Sequence, residues 1–152
     1  MTGGRDGVRP GHRDPRALGL VALGGSAGAA ARYGVGLAVG AHAWPWATTV
    51  VNLSGALALG LLTGALAAAG GATPALRRVR LLVGTGFLGA FTTYSTLSLE
   101  VAERLRAGSA GTAVGYALAS LVVGLLASLL GLRGGALLVG RWRRAPRAGV
   151  PR

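Results

Sequence analysis

Residues 84–100 read GTGFLGAFTTYSTLSLE, and the fold turns on how this run is accommodated in an otherwise apolar chain. Gly84, Gly86 and Gly89 are poor helix formers, and the β-branched Thr92-Thr93 pair follows them, so regular helix is weak across the run. Thr92, Thr93, Tyr94, Ser95 and Thr96 then place hydroxyls at successive positions. In a soluble protein such a stretch would read as a loop. Here the flanks deny that reading, because the run sits in the middle of a segment long enough to cross a bilayer.

The chain has 152 residues, of which 51% are apolar. Four apolar stretches, about 17–40, 47–70, 79–105 and 112–132, each suffice to span roughly 30 Å as a helix. The fold class expected is an all-α membrane protein with four transmembrane helices, the third broken at the midplane. One membrane domain then covers 17–140, and the Arg-, Gly- and Pro-rich segments 1–16 and 141–152 form basic tails with no core to bury. Whether residues 133–140 prolong the fourth helix is left open by GLRGGALLVG (131–140). Between the first two spans Trp44 and Trp46 suit the membrane interface, and Pro45 interrupts the helix. Gly70-Gly71 closes the second helix and Thr73-Pro74 opens the third. The run RAGSAG (106–111) makes the last turn. SAGAAA (26–31) after an Arg-rich start has the look of a signal-peptide cleavage site, but LGLVALGG (18–25) is a feeble hydrophobic region and apolar sequence resumes after Arg32.

The net charge is +12, all of it from arginine, against Asp6, Asp14, Glu100 and Glu103. The arginines gather in the tails and one short loop rather than along a face with interleaved aromatics, which suits anionic lipid and disfavours nucleic acid. With four spans, Arg5, Arg9, Arg13, Arg16, Arg77, Arg78, Arg80 and the group from Arg133 to Arg152 share one side, and Arg104 and Arg106 lie on the other. The positive-inside rule then puts both termini in the cytoplasm of a multi-pass plasma-membrane protein. The absence of cysteine removes disulfides, thiolate metal sites and cysteine nucleophiles. His12 falls in a tail and His42 in a loop, no Ser/His/Asp set or metal-ligand spacing appears, and an enzyme is not expected.

Polar residues inside the spans are expensive and call for a partner. Arg32 lies about 22 Å along the first helix, where it either meets an anion, carbonyls or water, or snorkels to the interface. Asn52, with Thr48, Thr49 and Ser54 nearby, suits an interhelical hydrogen bond or a pore lining. Tyr116 and Ser120 share a face of the fourth helix. Glu100 and Glu103 stand near Arg104, with pairing at a spacing of four or one the simplest account. The pairs Gly24/Gly28, Gly60/Gly64 and Gly111/Gly115 allow close helix packing. A helix break in the third span would expose carbonyls on one half and amides on the other, a cation site and an anion site back to back.

Taken in order, GGSAGAAARYG (24–34), TTVVNLSG (48–55), GTGFLGAFTTYSTLSLE (84–100) and the Tyr116/Ser120 face resemble the Fluc family of small four-helix fluoride channels, over residues 17 to 130. The resemblance implies a fluoride-selective pore for passive export, an antiparallel dimer with two pores, and a structural sodium ion held at the dimer centre by backbone carbonyls. Matched residue by residue, those carbonyls are Gly89 and Thr92. Asn52, Tyr94, Ser95, Thr96, Leu97, Tyr116 and Ser120 fall on the fluoride pore, and Arg32 and Glu100 on an anion vestibule or a structural role.

Two departures stand out. The family pattern TTFSTF has phenylalanine where this chain has Tyr94 and Leu97, and leucine offers no electropositive ring edge. Single-gene members resemble dual-topology proteins with little charge bias, whereas this chain is strongly biased. Both point to a heterodimer with a related, oppositely oriented subunit, the alternative being a homodimer. Rival readings are a non-conducting partner subunit, which Leu97 favours, and a small multidrug-type transporter. The latter normally needs an acid at the midplane, and the first, second and fourth spans contain none.

Overall fold

The computed structural model describes residues 14–70 and 73–144. All regular structure in these residues is helical. Helix α1 spans Pro15–Val39, α2 Trp46–Ala68 and α3 Pro74–Val79; a π-helical stretch, Arg80–Leu88, leads into the one-turn α4, Gly89–Phe91, and after a break α5 spans Tyr94–Arg106 and α6 Ala110–Arg144.

The helix ends follow local chemistry. Asp14 caps α1, its carboxylate accepting from the Arg16 amide at 3.0 Å, with Pro15 in the first turn. Gly40, Gly70 and Gly108 take positive φ at the three reversals (71°, 88° and 75°), a conformation that costs glycine little. Thr73 caps α3 by accepting from Leu76 N at 3.3 Å. Gly71, which the sequence pairs with Gly70 as a terminator, lies outside the described residues, as do positions 1–13 and 145–152 of the assigned tails.

Two contacts fix the up-and-down order. Arg77 pairs with Asp14 at 3.7 Å, and Arg143 Nη2 donates to Ala69 O at 2.8 Å. The start of α1, the end of α2, the start of α3 and the end of α6 therefore share one end of the bundle, the arginine-rich one.

Helix α6 corrects the expected boundaries. It runs 35 residues, through 133–140 and on to Arg144, four residues into the segment assigned to the tail. Its reach is about 52 Å at 1.5 Å per residue, longer than a hydrocarbon core. The cause is packing against α2. A Cβ built at Gly60 or Gly64 would fall 2.2 or 2.0 Å from Ser128 O or Leu132 O. The same construction at Gly131 or Gly135 falls 2.3 or 2.1 Å from Leu57 O or Leu61 O. Two glycine pairs thus face each other and bring the backbones together. Gly131 and Gly135 are additions to the glycine pairs expected from the sequence. Gly111 and Gly115, which are among those pairs, have nothing within 4 Å of such a Cβ, so their face is unpacked within the chain. Gly24 and Gly28 press against Leu82 O and Phe87 O of the π stretch, where an added Cβ would lie at 2.0 and 2.1 Å.

Among the described residues, α2 and α6 are each long and apolar enough to cross a membrane, with mean hydropathies of 1.8 and 2.2. In α1 the apolar run is diluted by Arg16, Arg32 and glycine, and the third segment is divided by its break. Leu121, Leu125 and Leu130 of α6 are more than 60% exposed. An exposed row of leucines of this kind is unusual on a soluble monomer and suits an apolar surrounding. The molecule is an all-α, multi-helix membrane protein with one bent segment.

Candidate functional site

The break occupies Thr92 and Thr93, one step beyond the glycines that announced it. Gly84, Gly86 and Gly89 do not stop the helix; the chain widens into π turns over Arg80–Leu88, recovers one α turn, and then extends at Thr92 (φ −78°, ψ 157°) and Thr93 (φ −146°, ψ 118°). Wide turns of this kind commonly mark functional segments. Phe87 and Phe91 stack at 5.7 Å on the flank.

Freed backbone groups in a span must find partners. Thr93 is 6% exposed, and its amide donates to Asn52 Oδ1 at 2.8 Å while its carbonyl accepts from Asn52 Nδ2 at 2.9 Å. A single side chain on α2 therefore replaces both bonds that an unbroken helix would have supplied at Thr93. The Thr93 hydroxyl accepts from Thr96 N at 3.2 Å, capping α5, and donates to Thr96 Oγ1 at 2.9 Å, with Ser95 Oγ at 3.2 Å. Thr92 Oγ1 bonds back to Leu88 O at 3.0 Å.

In an α-helix Gly89 O would receive Thr93 N–H and Thr92 O would receive Thr96 N–H. Both donors go elsewhere, to Asn52 and to the Thr93 hydroxyl. Gly89 and Thr92 are thus among the carbonyls that lose their helical donors at the break, with Ala90 and Phe91 between them.

Gly55 is a site residue absent from the sequence-based expectations, although it lies three residues from Asn52 and so shares its face. A Cβ there would come 2.3 Å from the Thr92 methyl. Asn52 grips the break and Gly55 makes room for it.

Two cavities adjoin this point. A groove of about 430 Å³ is lined by Asn52, Gly89, Thr92, Tyr94, Leu97 and Ser120, among others. A second, of about 380 Å³, is lined by Arg32, Thr48, Thr93 and Thr96 with Ala29 and Val51. Thr93 borders both. The expected residues are consequently divided, with Asn52, Tyr94, Leu97 and Ser120 on one side of the break and Arg32 and Thr96 on the other. Ser95 is exposed beside Thr93, and Tyr94 is 81% exposed.

Glu100 and Tyr116 form a separate cluster. The Glu100 carboxylate accepts from Thr48 Oγ1 and from Tyr116 OH, each at 2.7 Å. Tyr116 is fully buried. Its hydroxyl hydrogen is committed to Glu100, so in this arrangement the phenol offers no O–H to an anion; Ser120, one turn on, is the α6 hydroxyl that lines the groove. The expected carboxylate pairing of Arg104 with Glu100 is also corrected. Arg104 Nη1 donates to the Glu100 backbone carbonyl at 2.9 Å and Nη2 to Ala43 O at 3.1 Å, with the guanidinium 5.3 Å from the centre of the Tyr116 ring. Aromatic packing completes the cluster, Trp44 meeting Tyr116 edge-on at 5.2 Å. The reason is non-local: Thr48 and Tyr116 reach the carboxylate from α2 and α6, and Arg104 is left the carbonyl one turn back.

Two bilayer-length helices, a third segment broken and re-bonded by a neighbouring helix, and a hydroxyl- and amide-bearing groove at the break describe a small helical membrane protein. Comparison with known proteins agrees. The family model described as CrcB-like protein, Camphor Resistance (CrcB), matches residues 19–132. A fluoride-specific ion channel FluC of Hyphomonas neptunium is 49% identical over 116 residues, covering 74% of this chain and 90% of that one. The FluC 1 protein of Symbiobacterium thermophilum is 45% identical over 117 residues (74% and 92%), and a FluC of Thermus thermophilus is 42% identical over 130 residues (80% and 94%). The chain belongs to the CrcB family, whose members are channels rather than enzymes.

Proposed function

We propose that this chain is a subunit of a fluoride-selective channel in the cell membrane, giving passive fluoride export and lowering cytoplasmic fluoride. The observation that carries the reading is the break clamped by Asn52 with Ser120 across the groove, in a chain 49% identical to a fluoride-specific channel.

Fluoride is small and strongly hydrated, so a selective path must return hydrogen bonds while staying too narrow for larger halides. Several donors remain after the internal bonds are made. Asn52 Nδ2 has a second hydrogen, Thr96 accepts from Thr93 and keeps its own, and the Ser120 hydroxyl lines the groove. Tyr94 adds an electropositive ring edge. Tyr116 and Thr48 are spent on Glu100 and act by holding the α5 backbone in register. No covalent chemistry is needed, and an inside-negative potential drives the anion outward.

Assembly as an antiparallel dimer, homodimeric or with a related subunit of opposite orientation, explains the exposed α6 face. Gly89 and Thr92 carbonyls would hold a structural sodium at the dimer centre. Two carbonyls from one chain are too few to replace an alkali ion's water, and a second chain doubles them. The positive-inside rule orients the arginine-rich end, with both termini, toward the cytoplasm.

A second reading, a non-conducting partner subunit, is favoured by Leu97, which lines the groove where a ring would supply positive edges. One measurement separates a self-sufficient channel from a subunit that needs a partner. Liposomes holding the purified chain are assayed for fluoride efflux with an ion-selective electrode, alone and after co-expression with a related subunit. Efflux from the chain alone establishes conduction; efflux only from the pair establishes the heterodimer; no efflux from either overturns the proposal. Leu97→Phe is expected to raise efflux, and replacing sodium by a bulky organic cation to reduce it or to dissociate the dimer.

A further inference from the structure

A third cavity, of about 330 Å³, lies between α2 and the π stretch, lined by Leu59, Leu62, Thr63, Leu66, Arg80 and Thr85 together with Gly84. It shares Leu59 and Gly84 with the groove at the break. The groove in turn meets the Arg32 cavity at Thr93. The three therefore neighbour one another in order, separated by shared lining residues: a cavity with Arg32 and hydroxyls, the uncharged groove at the break, and a cavity with Arg80. Arg80 stands twelve residues before Thr92, across the π turns and toward the arginine-rich end.

Within the third cavity Arg80 is the charged lining residue. The Thr63 hydroxyl donates to Leu59 O at 2.7 Å, so its hydrogen is already used. The Arg80 stem lies along the glycine face of its own helix, a Cβ at Gly84 meeting Arg80 Cγ at 4.0 Å. The next turn adds Arg77 and Arg78, of which Arg77 is partly neutralised by Asp14 at 3.7 Å. Arg80 is exposed, and a positive charge beside an apolar wall raises the local concentration of anions.

We infer that Arg80 is the anion-collecting residue of the cytoplasmic mouth, the inner counterpart of Arg32, and that it sets how fast small inorganic anions enter the groove. The inference rests on the fluoride reading above and gives Arg80 a role in entry rather than in the narrow part of the path. Removing the charge should slow capture and leave passage through the break untouched.

The test is fluoride efflux from liposomes with the wild type, Arg80→Gln and Arg80→Lys, each in its conducting assembly, at low fluoride and at two ionic strengths set by an impermeant salt. At low ionic strength Arg80→Gln should conduct about three- to tenfold more slowly than the wild type. The gap should close at high salt, where the Debye length falls below about 5 Å, and Arg80→Lys should recover most of the loss. Equal rates for wild type and Arg80→Gln at low salt would overturn the inference. So would a deficit of the same size at both ionic strengths, the mark of a packing role for the stem against Gly84. If the wild type itself does not conduct, the fluoride reading falls and takes this one with it, an outcome distinct from a conducting wild type matched by its variant.

Discussion

Helix α2 carries two interfaces built on opposite principles. Its second half, at Gly60 and Gly64, meets Gly131 and Gly135 of α6 with both helices unbroken and their backbones nearly touching. Its first half, at Asn52 and Gly55, receives a segment that has given up helical bonding, and replaces the lost bonds from a side chain. The first interface asks only for the absence of side chains. The second asks for one particular amide at one particular height. In lipid, where no solvent drives helices together, the glycine crossing supplies cohesion and the clamp supplies a site.

The contrast can be broken most severely at the crossing. Gly64→Leu places side-chain atoms where Leu132 O already stands, and should cost about 3 kcal/mol or more, seen as loss of the monodisperse peak in detergent and a large drop in melting temperature. Asn52→Ala comes next. It strands the amide and carbonyl of Thr93, for a loss of about 2 kcal/mol, and fluoride efflux should fall about tenfold or more while the α2–α6 crossing survives. An Asn52→Ala protein with undiminished efflux would sever the clamp from function.

Smaller effects sharpen the same comparison. Thr93→Val keeps the shape but removes the α5 cap, with an expected cost of about 1 kcal/mol in thermal unfolding and a moderate fall in efflux. Gly115→Leu should leave the isolated chain folded and stabilise α6 by at most about 1 kcal/mol through helix propensity, since among the described residues nothing lies within 4 Å of its added Cβ. A marked shift of that variant from dimer to monomer, measured by light scattering in detergent, would show that the unpacked Gly111/Gly115 face is covered by another chain.

Local rules made the helix ends and the weak third segment legible. Thr73-Pro74, Gly70 and Gly108 behave as their types dictate, and a run of three glycines before two threonines does interrupt regular helix. The place of the interruption was less legible, because glycine permits a wide turn as readily as a stop, and it is the bond from Asn52 that selects Thr93. The end of α6 was hidden for a similar reason. Arg133-Gly134-Gly135 leaves the helix end open when read locally, whereas in the fold Gly135 is a packing surface against Leu61 O and the helix runs on. Among the candidate site residues, Asn52 and Ser120 stand out by their rarity in apolar stretches, and both line the groove at the break. The commitment of Tyr116 and Thr48 to Glu100 depends on three helices meeting, which no spacing along one of them reveals.

The clamp at Asn52 also has a consequence for biosynthesis. Translation proceeds from the N-terminus, so Asn52 leaves the ribosome 41 residues ahead of Thr93. The segment that carries the break is thus made after the side chain that bonds it. Helix α6 is made last and closes over α2 by its glycines. Had the order of the two segments been reversed in the gene, the broken segment would have been made with nothing to hold it.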